Sequence, residues 1–141
     1  MSRANAEFVE ALFAGASTMR REELLAALPE IVAQVADPAI EWIEDPARAD
    51  SHVYRGHEGV LASWRQWLDQ WDEWGFELER VVDCGEEVFV AARERASGAA
   101  SGARVSAAIY FVITVHDQKI RCWREYYDEG AARRAAGLAP G

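Results

Sequence analysis

Residues 104–128 read RVSAAIYFVITVHDQKIRCWREYYD, and this stretch decides the fold class. Residues 104–115 are rich in β-branched and aromatic side chains, which favour extended strands. Residues 116–118 supply turn-forming side chains, and residues 119–127 resume the composition of a strand. The stretch therefore predicts two long antiparallel strands joined by a tight turn.

The strand predicted over residues 104–115 is apolar on both faces. Ile109, Phe111 and Ile113 alternate with Tyr110 and Val112. A strand of this kind should be covered on both sides. One face is expected to look into the core. Because no helix is left over for the other face, we expect a second subunit there, and hence a homodimer.

Two further strands are predicted upstream, over residues 76–84 and 87–96. Residues 97–103, which read SGAASGA, are predicted to form a hairpin loop because small residues and glycine favour turns. Alternation along the first of these strands places Phe76 and Val82 on one face. The chain therefore ends in a meander of four strands.

The N-terminal part is predicted to be helical. The spacing of apolar residues indicates a first helix with Asn5 as its cap, and a second helix over residues 21–28. Pro29 is expected to break the second helix, because proline lacks the backbone N–H that a helix interior uses. Residues 39–44 then predict a short strand, and residues 47–56 a polar loop.

A tryptophan-rich helix is the clearest single element. Its stripe at helical spacing consists of Val60, Trp64, Trp67, Trp71 and Trp74. The pattern predicts one amphipathic helix that ends at Gly75, since glycine is typical just after a helix. Asp128 is expected to cap a last helix. These elements together predict one α+β domain over residues 1–141.

Charge and composition limit the partners. The 141 residues carry a formal net charge of −9, and an acidic surface repels phosphate backbones and anionic lipid. We therefore expect no nucleic acid and no membrane as partners. Glu7 and Glu10 interrupt the apolar run that a signal peptide needs, so we expect a cytoplasmic protein. Cys84 and Cys122 lack the clustering of a zinc site, and no metal is expected.

Three segments carry a family resemblance. They are residues 42–46 (WIEDP), 54–60 (YRGHEGV) and 119–128 (KIRCWREYYD). They resemble the SnoaL-like branch of the nuclear transport factor 2-like superfamily. The resemblance implies a cone-shaped fold, in which a curved antiparallel sheet is wrapped by N-terminal helices and the tryptophan-rich helix. It also implies a pocket for a small apolar molecule, no cofactor, and a homodimer.

The last strand is most similar to the limonene-1,2-epoxide hydrolase family. On that resemblance Glu125 takes the place of the catalytic carboxylate and Glu94 that of the second one. The arginine that holds the two carboxylates in that family corresponds to Ala92. Two carboxylates without this cation should repel each other, so that one tends to stay protonated. An acid–base pair different from that of epoxide hydrolysis is therefore expected.

The same resemblance names pocket residues. Trp42 and Glu44 fall where that family holds its water, and Trp123 and Tyr127 match pocket aromatics. Further predicted ligand-binding residues are Tyr54, Trp64 and Phe111.

A second comparison concerns residues 44–46, which match the E-D-P sequence around the base of the ketosteroid isomerase family. This match implies Asp45 as a base. The oxyanion donors of that family correspond to Phe8 and Phe111, and neither can donate a hydrogen bond. Without an oxyanion hole the isomerisation loses what is usually its largest catalytic contribution.

The leading hypothesis is a small-molecule enzyme that uses cofactor-free carboxylate acid–base chemistry, of cyclase, isomerase or epoxide-hydrolase type. Glu125 is central, Glu94 or Asp45 assists, and the substrate is an apolar, ring-bearing metabolite. Alternatively, the domain binds a small ligand without turnover, or serves dimerisation or assembly.

Overall fold

The computed structural model describes residues 3–98 and 102–139. Its helices are α1 (Ala4–Ser17), α2 (Arg21–Val35), α3 (Gly56–Leu68) and α4 (Glu129–Ala135). Its strands are β1 (Ala36–Ile43), β2 (Val53–Arg55), β3 (Glu73–Cys84), β4 (Glu87–Ser97), β5 (Arg104–His116) and β6 (Lys119–Tyr126). The hairpin loop predicted over residues 97–103 lies in part outside the described residues.

The strands form one curved, unclosed sheet with the order β2-β1-β6-β5-β4-β3. The predicted α+β fold class is confirmed. The β5–β6 turn is also confirmed, since Asp117 and Gln118 both have positive φ, as a tight hairpin turn requires. The sheet is antiparallel except for β1 and β6, which pair in parallel. A parallel pair needs a long connection, and here most of the chain lies between the two strands.

The concave face of the sheet carries the main core. α1, α2 and α3 cover this face, and Phe111 at its centre is fully buried. Val9 and Phe13 of α1, Val32 of α2 and Val60 of α3 meet the sheet there. The burial of one face of each helix fits its apolar stripe.

The convex face is covered by α4. This seven-residue helix buries Ala132 against Phe89 and Val112. Asp128 caps the helix as predicted, because its carboxylate accepts a hydrogen bond from the Ala131 N–H at 2.8 Å. The argument that no helix was left for the second face of β5 was therefore wrong: α4 folds back onto it. Homodimerisation stays a prediction without that support.

The tryptophan-rich helix is shorter than predicted. α3 ends at Leu68, which is fully buried. The Asp72 N–H then donates a hydrogen bond to the Ser97 carbonyl at 2.8 Å. The chain that follows pairs with β4 as a strand. Trp71 therefore follows the helix and Trp74 lies in β3. Pairing with β4 outweighs the helical spacing of these tryptophans.

Two predictions about the N-terminal helices are corrected. Asn5 lies inside α1 rather than at its cap, and its amide donates to the Gly85 carbonyl of the β3–β4 turn. α2 continues through Pro29, because buried Leu24 and Leu28 hold its apolar face against the rest of the chain. Packing of an apolar face outweighs the backbone hydrogen bond that the proline removes.

Strand boundaries differ in three places. β1 begins at Ala36, earlier than predicted, because Ala36 pairs with Ile120 before the register shifts. β2 forms within the predicted polar loop and pairs with the end of β1. An extra residue between Leu78 and Arg80 reverses the alternation of β3, so Phe76 and Val82 face opposite sides of the sheet.

In the described part of the chain, no helix combines the length and the apolar character needed to cross a membrane.

Candidate functional site

A cavity of about 330 Å³ opens on the concave side of the sheet; we call it the glutamate cavity. Its carboxylates are Glu44, Asp50, Glu94 and Glu125. Its aromatic walls are Trp42, Tyr54, Trp64, Trp67, Phe76 and Tyr127. Its other polar residues are Arg48, His52, Ser63, Gln66 and Gln70. The cavity thus joins flat apolar walls to a group of acids.

Glu125 lies on β6 opposite Phe111 of β5. Burial raises the pKa of its carboxyl group from 4.5 to about 7, and the negative charges of Glu44 and Glu94 add to the effect. Among the described residues, no hydrogen bond to this carboxyl group offsets the burial. Glu125 therefore can hold or release a proton near neutral pH.

Glu94 is 6% exposed and projects from β4. Burial raises the pKa of its carboxyl group, and side-chain hydrogen bonds from Trp74 and Trp67 act in the opposite direction. The Trp74 indole N–H donates to the carboxylate at 2.9 Å. Glu94 is thus held in one orientation, unlike Glu125.

The loop between β1 and β2 forms one wall of the glutamate cavity. The Arg48 guanidinium donates to the Asp50 carboxylate at 3.3 Å. The Glu44 carboxylate accepts from the His52 backbone N–H at 3.0 Å. The positive charge of Arg48 also lowers the pKa of Glu125, against the larger raising effects. The loop therefore places one cation beside the acids.

Asp45 lies outside the cavity lining and is 6% exposed. One carboxylate oxygen accepts from the Ala47 N–H and the other from the Tyr127 N–H, both at 2.9 Å. The residue predicted as a base thus fastens the β1–β2 loop to the end of β6. Because both of its oxygens accept backbone hydrogen bonds, this position serves the shape of the site.

The structure brings most of the predicted ligand-binding residues together. Trp42, Glu44, Tyr54, Trp64 and Tyr127 all line the cavity. Phe111 and Trp123 do not; they belong to the core behind it. The Trp123 ring stacks on Trp42 at 4.6 Å, so Trp123 supports the wall from behind.

No arginine or lysine of β4 lies between Glu94 and Glu125, as the sequence predicted from Ala92. Ala92 is fully buried in the core. Arg93 and Arg95 face the other side of the sheet, where Arg95 pairs with Glu77 at 3.1 Å. No group of His, Cys, Asp or Glu with the geometry of a metal site occurs among residues 3–98 and 102–139.

Sequence reasoning missed several lining residues, chiefly Arg48, Asp50 and His52 of the β1–β2 loop. The available signal was weak: a charged segment directly after the strand that ends near Glu44. Gln66 and Gln70 were missed because polar residues on a helix usually face solvent.

Solved structures share the fold at low identity. A protein assigned as a SnoaL-like polyketide cyclase, from Jannaschia sp. CCS1, is 18% identical with a TM-score of 0.67, covering 96% of this chain and 93% of that one. TerC co-crystallised with polyporic acid is 15% identical with a TM-score of 0.66, covering 94% and 98%. A Mycobacterium tuberculosis LEH-like epoxide hydrolase is 18% identical with a TM-score of 0.64, covering 87% and 81%.

At such identities these structures show the fold, which is nuclear transport factor 2-like. Comparison with curated proteins gave no match. The family model described as SnoaL-like domain matches residues 9–123, which is most of the chain. The matched range includes the cavity residues Trp42, Glu44, Trp64 and Glu94. The protein therefore belongs to the SnoaL-like domain family.

Proposed function

We propose that this protein is an enzyme that moves a proton to or from a small, ring-bearing molecule, with Glu125 as the acid–base residue. The observation that carries the proposal is a partly buried carboxyl group with a pKa raised to about 7 inside a cavity. A general acid or base works best when its pKa lies near the working pH. Perturbed carboxyl groups in clefts are candidates for such a role.

Glu94 and Arg48 place one acidic and one basic side chain near Glu125. Glu94 cannot turn freely, because the Trp74 indole holds its carboxylate. Its negative charge helps to keep Glu125 protonated. Arg48 stands on the loop wall, where its guanidinium is placed to stabilise negative charge that develops on a substrate oxygen. These groups support proton transfer without a cofactor.

The walls favour a flat substrate. Trp42 and Trp64 meet edge to face at 5.3 Å, and Phe76 meets Trp64 in the same way at 6.4 Å. Rings pack well on such surfaces. Neighbours of the same fold support this class, since one is co-crystallised with polyporic acid and another is assigned as a polyketide cyclase.

The first experiment is a thermal-shift screen against terpene epoxides, steroid ketones and polycyclic aromatic keto esters. A ligand at roughly 100 times its Kd should add about 2.7 kcal/mol to the free energy of unfolding. A compound that stabilises the protein is then tested for turnover. We expect Glu125→Gln to lower kcat by about a hundredfold or more.

The matched control is Glu86→Gln, the same chemical change at an exposed glutamate outside the cavity. It should leave kcat unchanged. Full turnover by a folded Glu125→Gln variant would exclude the assigned role.

A second candidate is a domain that binds its ligand without turnover. It is favoured by Ala92, because no cation from β4 holds the two glutamates together. In that case compounds from the screen would bind, and would be recovered unchanged after incubation at any pH at which the protein is folded.

A further inference from the structure

The glutamate cavity has more acidic than basic side chains. Among the described lining residues, one cation, Arg48, stands with the acids Glu44, Asp50, Glu94 and Glu125. The Arg48 guanidinium is already paired with the Asp50 carboxylate at 3.3 Å. In the part of the chain that the structure describes, no cation forms a salt bridge with Glu94 or Glu125. These two acids therefore lack an ionic partner.

Glu94 is the more deeply buried of the two unpaired acids. It is 6% exposed and lines the cavity. Its side-chain partners among the described residues are the indole N–H groups of Trp74 and Trp67, which carry no net charge. Acidic residues are almost never fully buried without a partner, and a buried charge is normally paired with another charge. The position of Glu94 therefore indicates that a ligand supplies the missing positive charge.

Direct contact with the Glu94 carboxylate is not required for this effect. An opposite charge within about 4–6 Å already favours the charged form of a carboxyl group. A cation in the cavity beside Glu125 satisfies this condition for Glu125, whose negative neighbours include Glu94. One positive group can thus act on both acids.

The walls of the cavity favour an ammonium group with carbon substituents. The faces of aromatic rings carry partial negative charge. A cation within about 6 Å of a ring centroid is attracted to the ring, most strongly over tryptophan. The methyl groups of a substituted ammonium also pack on the apolar surface of the rings. The rings that stand beside the acids are Trp42, Tyr54, Trp64, Trp67 and Tyr127.

We propose that the glutamate cavity binds a ligand with a positively charged, carbon-substituted amine, whose ammonium group lies among the aromatic walls beside Glu94 and Glu125. The proposal rests on the proposed function, because it names a substrate class for the same cavity: a ring-bearing amine. The ring packs on the tryptophans. The ammonium group favours the charged form of Glu125, and hence the base rather than the acid.

The titration of Glu125 makes the binding of such a cation depend on pH. Burial and the charges of Glu44 and Glu94 raise the pKa of this carboxyl group to about 7. Because a cation binds the charged form better, its affinity should rise with pH through this range. Imidazole groups also change charge near neutral pH, so His52 needs a control. The titratable and charged side chains that face Glu125 are Glu44, Asp45, Arg48, Asp50, His52, Tyr54, Glu94 and Tyr127.

The test compares choline with 3,3-dimethyl-1-butanol, an uncharged alcohol of the same shape. Binding to the whole ¹⁵N-labelled chain at pH 8 is followed by NMR through the tryptophan indole signals. We expect choline to bind about tenfold more tightly than the alcohol, because only choline has a charge for the rings and the acids. The signals of Trp42, Trp64 and Trp67 should shift. Trp71, outside the cavity lining, should not respond.

Two variants remove the negative charges without changing the shape of the side chains. Glu125→Gln and Glu94→Gln should each weaken choline binding by about fivefold or more. The same change at exposed Glu86 is the control and should leave the affinity unaltered. Binding of 3,3-dimethyl-1-butanol should be the same in all three variants, which shows that each of them keeps its cavity.

The pH dependence provides a second readout. The affinity of the unaltered protein for choline should rise up to about tenfold between pH 6 and pH 8, since about one unit on each side of the pKa covers most of the titration. Glu125→Gln should lose most of this rise. His52→Asn should keep it, which separates the carboxyl group from the imidazole.

Equal affinity for choline and the alcohol would overturn the proposal, as would choline binding that shifts Trp71 and not the cavity tryptophans. If choline does not bind while an uncharged compound is turned over and Glu125→Gln abolishes that turnover, the proposed function stands and the amine is excluded. Choline binding as expected, together with normal turnover in Glu125→Gln, would uphold the amine and exclude the acid–base role.

Discussion

At the scale of single residues, the pKa of Glu125 makes stability depend on pH. The folded chain raises this pKa from 4.5 to about 7, so it binds the proton more tightly than the unfolded chain does. The resulting stabilisation is complete below pH 4.5 and is lost as the pH rises through about 7. Its size is at most about 3 kcal/mol, since solvent in the cavity screens part of the effect.

The measurement is chemical unfolding of the unaltered protein and of Glu125→Gln at about pH 5 and pH 8. The variant carries a neutral side chain of the same shape at both pH values. The free energy of unfolding of the unaltered protein minus that of the variant should therefore be smaller at about pH 8 than at about pH 5. An unchanged difference would show that Glu125 titrates as it does in the unfolded chain.

Residue-level prediction from the sequence succeeded where strand alternation decided the outcome. Glu94 was placed on the same face as Ala92, and it projects into the concave side as expected. Strand alternation does not indicate whether a side chain lines the cavity or is buried in the core behind it. Phe111 is on the predicted face of its strand but belongs to the core. Asp45 could not be assigned either, because its partner Tyr127 is 82 positions away in the sequence.

At the scale of elements, α2 contains a removable defect. Pro29 lies in the interior of the helix at an exposed position and has no N–H to donate to the preceding turn. Pro29→Ala should restore that hydrogen bond and raise the free energy of unfolding by roughly 1–3 kcal/mol. Urea unfolding measures the change. Glu30→Ala, at the next exposed position, alters no backbone hydrogen bond and should have a much smaller effect.

A decrease in stability for Pro29→Ala would mean that the proline constrains the unfolded chain more than it harms the helix.

The same helix shows why the boundaries of elements could not be predicted from the sequence alone. Pro29 considered alone predicts a break in the helix. Leu24 and Leu28 indicate a continuous helix only once the residues that they pack against are known. Likewise, the spacing of Trp71 and Trp74 fits a helix, and only pairing with β4 makes Trp74 part of a strand.

At the scale of the whole molecule, the order of helices and strands was sufficient to predict the fold class. Local patterns also predicted the meander of β3 to β6, whose neighbouring strands pair in chain order, but they did not reveal which distant elements meet. The parallel pairing of β1 with β6 joins segments separated by most of the chain. α4 was predicted as a helix capped by Asp128, but no pattern within residues 129–135 shows that it covers β5.

The position of α4 leads to a final expectation. Ala132 is fully buried against Phe89 and Val112, so Ala132→Asp should force α4 off the convex face. A buried charge without a partner should lower the free energy of unfolding by about 2–4 kcal/mol. The uncovered apolar face should then make self-association rise with concentration in sedimentation velocity. Arg134→Asp, at an exposed position of the same helix, is the control.

Equal stability and equal sedimentation of the two variants would mean that α4 does not cover this face. If Ala132→Asp alone associates, a homodimer of the unaltered chain must use the outer side of α4 or another surface, because the apolar face of β5 is already occupied.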